Sequence, residues 1–186
     1  MKTLSILPAL ETAGLVIREI AAEDSQGLAR FMTGRDYQRH ITMRLKSAAE
    51  VKAFVARNVS RQEDARRHVF HLAAESKDTG EVIGDGFIIF HRPNAVEIGW
   101  GLTPALWGRG LGTEIGEALL ALAFERLAVE EAWCKVMAPN AASASLAKRI
   151  GMGFVKSQAD YPVGGGRFGP VDMFRLKRDA YFNLPY

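Results

Sequence analysis

Residues 107–125 read "WGRGLGTEIGEALLALAFE", with glycines at 108, 110, 112 and 116 followed directly by an amphipathic pattern. A glycine inside a helix costs about 1 kcal/mol relative to alanine, so this crowding needs a reason. The arrangement is that of a helix entrance kept clear of side chains. The first N–H groups of a helix have no internal acceptor, and the aligned peptide dipoles put partial positive charge there. Glycines let the backbone turn and let a phosphate reach those amides without meeting a Cβ. Arg109, set between two glycines, can add a charge-assisted contact from outside.

Two familiar phosphate loops do not fit. A G-x-x-x-x-G-K-[ST] loop fails because no lysine follows any of these glycines. A G-x-G-x-x-G fingerprint fails because counting from Gly108 puts Thr113 in the last place, and counting from Gly110 puts Ile115 there.

Working outward, "AVEIGWGLT" (95–103) is a strand leading into the loop, and a helix of some fifteen residues follows it, with Ile115, Leu119, Leu122 and Phe124 or Leu127 inward. Upstream, "LVIREI" (15–20) is a strand. "AEDSQGLARFM" opens with Asp24 or Ser25 as N-cap. In 46–65, Ser47 and Glu50 stand in capping-box spacing ahead of a Val51, Phe54, Val55, Val59 stripe. "HVFHLAAES" (68–76) and "VIGDGFIIF" (82–90) precede the 95–103 strand through short turns, which suit antiparallel neighbours. Downstream come strand 132–138, helix 140–151, strand 153–161 and strand 171–179. The order β-α-α-β-β-β-α-β-α-β-β makes a mixed α/β (α+β) sheet whose central strand feeds a helix through a glycine-rich turn.

Composition narrows the classes. The chain of 186 residues suits one domain spanning 1–186, and no linker or repeat divides it. Nothing reaches the roughly 18 consecutive apolar residues of a membrane span. "MKTLSILPAL" lacks a small-residue cleavage site, so no secretory signal is expected and the expected location is cytoplasmic. Lys and Arg number 24 against 21 Asp and Glu, a net charge of +3, too small to argue for nucleic acid. The single cysteine, Cys134, excludes an internal disulfide framework and reads as an inert core residue. His40, His68, His71 and His91 show no ligand spacing beyond H-x-x-H at 68 and 71, and on a strand those two face opposite ways. No metal is expected.

"LTPALWGRGLGTE" (102–114) resembles motif A of the GCN5-related N-acetyltransferase (GNAT) superfamily, where a [Q/R]-x-x-G-x-[G/A] loop wraps the pyrophosphate of coenzyme A. Gly110 and Gly112 fall on its two small positions. Trp107 replaces the leading Gln or Arg, a departure similar to the "P-x-x-W-G-x-G-x-[G/A]-T-E" loops of the ribosomal-protein (RimJ/RimL-like) branch. "ETAGLVIREI", "VEIGWGL" and "NAASASLAKRIGMGF" extend the resemblance across nearly the whole chain. It implies the GNAT fold, a central sheet of about six to seven strands with about four helices and splayed central parallel strands. It also implies transfer of an acetyl group from acetyl-CoA to an amine, without a metal.

The resemblance assigns the pyrophosphate to the backbone of Gly108, Arg109, Gly110, Leu111 and Gly112, with the Thr113 hydroxyl and Trp107 beside it. Pantetheine would lie in the splay, against backbone groups of Leu102 and Thr103, where Gly99 and Gly101 allow a bulge. Trp100 and Trp107 could equally fill space. Asn140 is an N-cap, a cofactor contact, or both. Ser143 is the donor to the coenzyme A sulfur or an ordinary first-turn serine, and Tyr161 is its rival as acid. Glu97 is the candidate base, or a rim carboxylate without that duty. It faces away from Ile98, Trp100 and Leu102.

The acceptor would be a protein N-terminus or a small amine. Its pocket would be formed by the N-terminal helices and the 161–170 turn "YPVGGGRFGP", a mobile lid or an ordinary turn. Many members of the resembled branch are homodimers, though one sequence displays no interface. Two other classes compete: an acyl-CoA sensor without turnover, and a nucleotide- or nucleic-acid-binding α/β protein.

Overall fold

The structure is a computed structural model, and it describes residues 7–41, 43–64, 66–163 and 166–184. One eight-stranded sheet runs in the order β1-β2-β3-β4-β5-β6-β8-β7. The strands are β1 (Leu10–Glu11), β2 (Leu15–Glu19), β3 (Val69–Ser76), β4 (Val82–Arg92), β5 (Ala95–Leu102), β6 (Glu131–Met137), β7 (Gly153–Pro162) and β8 (Phe168–Lys177). Every pairing is antiparallel except β5 with β6. A parallel pair needs a long crossover, and the glycine loop with its helix supplies it. The helices are α1 (Asp24–Met32), α2 (Arg35–Gln38), α3 (Ala48–Val59), α4 (Leu111–Ala121), α5 (Ala141–Arg149) and α6 (Arg178–Tyr181). The four-residue α2 and α6 and the two-residue β1 are too short to leave a periodic pattern in the sequence.

Strand alternation gives the sheet two covered faces. On one, Leu72, Ile88, Val96, Ile98, Cys134 and Phe174 pack against Ile115, Leu119 and Leu122 of the α4 segment. On the other, Ile20 and Ala73 pack with α1 and α3 through Leu28, Phe31, Val51, Phe54 and Val55. Each fully buried Leu or Ile contributes roughly 1.5–3 kcal/mol. After α4 the chain makes a π turn over Leu122–Arg126, with Leu127 N–H donating to Leu122 O at 2.9 Å. Leu122, Ala123 and Phe124 of this wider turn are all buried, continuing the buried run Ala118–Leu120 of α4. Phe124 is fully buried there, and Leu127 packs partly buried against the same core.

The caps divide. Ser47 Oγ accepts from Glu50 N–H at 3.2 Å as the spacing predicts, while the return bond from Glu50 goes to Lys46 N–H at 2.7 Å. At α1 neither Asp24 nor Ser25 is the cap. Glu23 holds that place, and Asp24 instead accepts from Ala21 N–H and pairs with Arg18 at 2.8 Å. That pairing, and then the Glu75 contact, hold the Arg18 pKa above its ordinary value against the effect of burial.

The site is positioned by what β5 and β6 do next. Their ladder has three pairs, Ala95 with Glu131, Val96 with Ala132 and Glu97 with Trp133, and then the strands part. The gap does not come from a bulge at Gly99 and Gly101, since β5 stays in register with β4 across both. These glycines serve the opposite face. A Cβ at Gly99 would overlap the Phe87 ring, and one at Gly101 would overlap Tyr37 Oη and Asp85 Oδ1.

Candidate active site

Into that gap opens a cleft of about 990 Å³. One end is walled by Gly108, Gly110, Gly112 and Thr113, the side by Asn140 and Ser143 of the α5 turn, and the far end by Trp100, Gly101 and Tyr37. Gly108 and Gly110 have φ of +78° and +84°, left-handed values that disfavour any side chain. A Cβ on either would meet nothing within 4 Å. The loop wound this way leaves the five successive amides of residues 108–112 without an acceptor among the described residues, while Thr113 and Glu114 N–H already close on Gly110 O. Five free donors at a helix entrance are a cradle for a diphosphate. The donor set fits the pyrophosphate of coenzyme A.

Neighbouring side chains fix the loop. Glu114 in the first turn of α4 accepts from Thr12 Oγ1 at 2.6 Å and Gly14 N–H at 2.8 Å, so its carboxylate is tied to the β1–β2 turn. Arg149 Nη1 donates to Thr113 Oγ1 at 3.1 Å and brings a guanidinium to the mouth. No local pattern signals Arg149, because it lies 36 residues from its partner. Trp107 is 54% exposed on the rim, its indole N–H donating to Leu102 O at 3.0 Å, so it does not fill the core. Thr103 turns away: its amide and hydroxyl both donate to Ile83 O, at 2.8 and 2.7 Å. Neither Thr103 nor the exposed Arg109 belongs to the cleft wall, and Leu111 packs toward the core instead.

Asn140 caps α5 by accepting from Ser143 N–H at 3.2 Å. Ser143 Oγ in turn accepts from the Trp100 indole N–H at 3.1 Å, across the gap. An acceptor role for the oxygen leaves the hydroxyl proton free to donate into the cleft. The Trp100–Ser143 contact joins residues 43 apart, and sequence reasoning did not pair them.

Glu97 and Tyr161 lie on the opposite face, outside the cleft wall. Glu97 is buried, with one oxygen 2.8 Å from His91 Nε2 and the other 3.1 Å from Lys135 Nζ. Lys135 also donates to Tyr161 Oη at 3.1 Å. Burial acts to lower the Lys135 pKa, but the Glu97 charge and the hydrogen bonds to Tyr161 and Glu97 together raise it above its ordinary value. Lys135 thus joins the two residues.

Cys134 is buried, and desolvation, with the Glu97 charge, pushes its thiol up to about 12, so it stays an unreactive core residue. Among the described residues no group of three or more His, Cys, Asp or Glu is arranged to hold a metal. No helix among them is long and apolar enough to cross a membrane. The 161–170 segment forms the β7–β8 hairpin end, and its Gly164 and Gly165, on which the lid reading depends, lie outside the described residues.

The model of the family "Acetyltransferase (GNAT) domain" matches residues 14–153. The chain belongs to the GNAT acetyltransferase family. It is 26% identical to the "Uncharacterized N-acetyltransferase p20" of Bacillus licheniformis over 183 residues, 92% of this chain and 97% of that one. A GNAT-family acetyltransferase structure from Bacillus anthracis superposes with a TM-score of 0.82 at 15% identity, covering 92% of this chain and 99% of that one. A ribosomal-protein-S5-alanine acetyltransferase from Vibrio fischeri gives 0.79 at 14% identity, with 94% and 98% covered. The GNAT protein is an acetyltransferase, of a family that generally uses acetyl-CoA as co-substrate and acts on amine acceptors. Its fold is the expected mixed sheet, with eight strands and six helices in place of about six to seven and about four.

Proposed function

We propose that this GNAT protein transfers the acetyl group of acetyl-CoA to a primary amine, a protein N-terminus or a small-molecule amine, by direct attack in a ternary complex. The observation that carries the reading is the run of free amides at residues 108–112, in a loop whose Gly108, Gly110 and Gly112 line a cleft shared with Trp100, Ser143 and Tyr37. The loop takes the diphosphate through Gly108, Arg109, Gly110, Leu111 and Gly112, with Thr113 and Arg149 at the mouth. Leu102 and Asn140 flank the pantetheine path. Bound acetyl-CoA supplies the activated acyl group as a thioester. The Ser143 hydroxyl, oriented by Trp100, donates to the departing sulfur. Membership of the ribosomal-protein branch is part of the proposal, supported by the W-G-x-G-x-G-T-E loop and by the fold shared with the S5-alanine enzyme.

The test incubates the protein with acetyl-CoA and a panel of alkyl amines and of peptides with free N-terminal Ala, Ser or Met, following thiol release. Turnover with at least one acceptor is expected. A protein that binds acetyl-CoA in a calorimeter yet acetylates no acceptor would be an acyl-CoA sensor. That second reading draws on Glu97, both of whose oxygens are taken by His91 and Lys135.

A further inference from the structure

On the sheet face opposite Ser143, a second buried carboxylate reaches the cleft through a phenol. Asp85 of β4 is 5% exposed, and Tyr37 of α2 donates to its Oδ1 at 2.5 Å. Tyr37 itself walls the cleft beside Trp100 and Gly101. Gly101 is the β5 residue paired with Asp85, and its missing Cβ is the space the Tyr37–Asp85 contact occupies. Asp85 Oδ2 accepts no hydrogen bond among the described residues. His71 Nε2 lies 3.7 Å from it, buried and likewise without a hydrogen-bond partner. The contrast with Glu97 is direct, since Glu97 has a cationic or ionisable nitrogen on each oxygen.

A polar group taken out of water is costly unless something uses it. Here a carboxylate, a phenol and an imidazole from three elements are brought below one point of the cleft wall. Burial and the Asp85 charge hold the Tyr37 pKa well above its ordinary value, so the phenol stays neutral. With its proton committed to Asp85, the Tyr37 oxygen keeps its lone pairs free to accept, on a residue that lines the cleft. The other titratable or charged side chains at this end are His40, Arg39 and Asp36, all on the α2 segment or just after it. His40, which burial and the Arg39 charge hold below its ordinary pKa, is no competing cation at neutral pH.

We propose that Tyr37 and Asp85 form the proton relay that deprotonates the acceptor ammonium, with Glu97 serving to position β5 and β6. The proposal rests on the acetyl-transfer reading above and names the base for that same site. An N–H bond of the ammonium breaks as its proton goes to the Tyr37 oxygen. The Tyr37 proton passes to Asp85 Oδ1, so the phenol is neutral before and after and Asp85 ends as the carboxylic acid. The freed amine attacks the thioester carbonyl, its second proton leaves with the thiol, and Asp85 returns its proton to solvent. One proton is released per turnover, as amide formation from an ammonium requires.

The test uses the full chain and the most active acceptor of the panel. Tyr37→Phe and Asp85→Asn are each expected to lower kcat at neutral pH about a hundredfold or more, within the range of general-base catalysis. KM and calorimetric acetyl-CoA affinity should stay within about threefold, and the double variant should be no slower than the slower single one, because the two residues act as a unit. The deficit of Asp85→Asn should shrink as pH rises past the amine's own pKa, since an amine already neutral needs no base. Glu97→Gln should cost less than tenfold in kcat. Deficits under tenfold, deficits that do not change with pH, or a larger loss in Glu97→Gln would overturn the relay. If Asp85→Asn fails to fold, Tyr37→Phe alone decides, because it removes one oxygen and keeps the ring. A wild-type protein that binds acetyl-CoA without turnover removes the parent reading and the relay with it. Turnover with unaffected variants removes the relay alone.

Discussion

Replacing Gly110 with alanine separates binding from folding. Its φ of +84° puts the residue in left-handed backbone, while a Cβ would meet nothing within 4 Å. The cost is therefore conformational, about 1–2 kcal/mol, with no steric clash to unfold the protein. For a chain of this size that is a drop in Tm of roughly 2–8 °C. Two further effects fall on binding. The methyl is added in open space on a residue that lines the cleft, where the diphosphate approaches. The strain divides between the two readouts: whatever part the free loop sheds by relaxing no longer lowers Tm but must be regained on binding, so affinity for acetyl-CoA falls by up to about five- to thirtyfold. Gly80, with φ of +68° and nothing within 4 Å of its Cβ, is a matched control away from the cleft. Gly80→Ala should lose comparable stability with unchanged affinity. Isothermal titration of both variants beside a thermal melt gives the comparison. A Gly110→Ala protein with native affinity would refute the cradle as the diphosphate site.

Three more outcomes follow from named contacts. Ser143→Ala should lower kcat roughly a hundredfold through loss of the sulfur donor with acetyl-CoA affinity nearly unchanged, and Trp100→Phe, which removes only the orienting indole N–H, should lower it less. Steady-state kinetics decide, and equal activity in all three proteins would discard the donor role. Gly101→Ala drives a Cβ into Tyr37 and Asp85 and should destabilise by about 1–3 kcal/mol, as overpacking does, read from the urea midpoint. Lys135 has a folded pKa raised above 10.5, so its favourable interaction is fully present below that pH and fades as pH rises through the folded value. The stability gap between wild type and Lys135→Met should be flat from neutral pH to about 10.5 and narrow only above it.

The glycine loop was legible because its information is local: φ-demanding residues, a capping turn and a helix pattern lie within twenty positions. The same holds for Ser47, whose cap needs three residues, and for Asn140. Alternation along β5 was enough to send Glu97 to the face opposite Ile98. What it could not supply was Lys135, which captures Glu97 only because β5 and β6 pair at Glu97 and Trp133. Tyr37 and Asp85 are 48 residues apart and meet through a four-residue helix too short to leave a pattern. Arg149 and Trp100 reach the cleft by the same kind of long-range closure. Asp24 misled because an acidic residue before an apolar run suits a cap, yet Arg18 and Ala21 claim its carboxylate first.

The short β5–β6 ladder also makes the molecule two leaves on one spine. Five strands lie on one side and three on the other, stitched by three residue pairs. Beyond the stitch, residues 98–102 have a strand on one flank only, so their protection from solvent exchange should rest on β4 alone. Whatever fills the opening acts as a wedge shared by both leaves, and its arrival stiffens a seam that the chain by itself leaves slack.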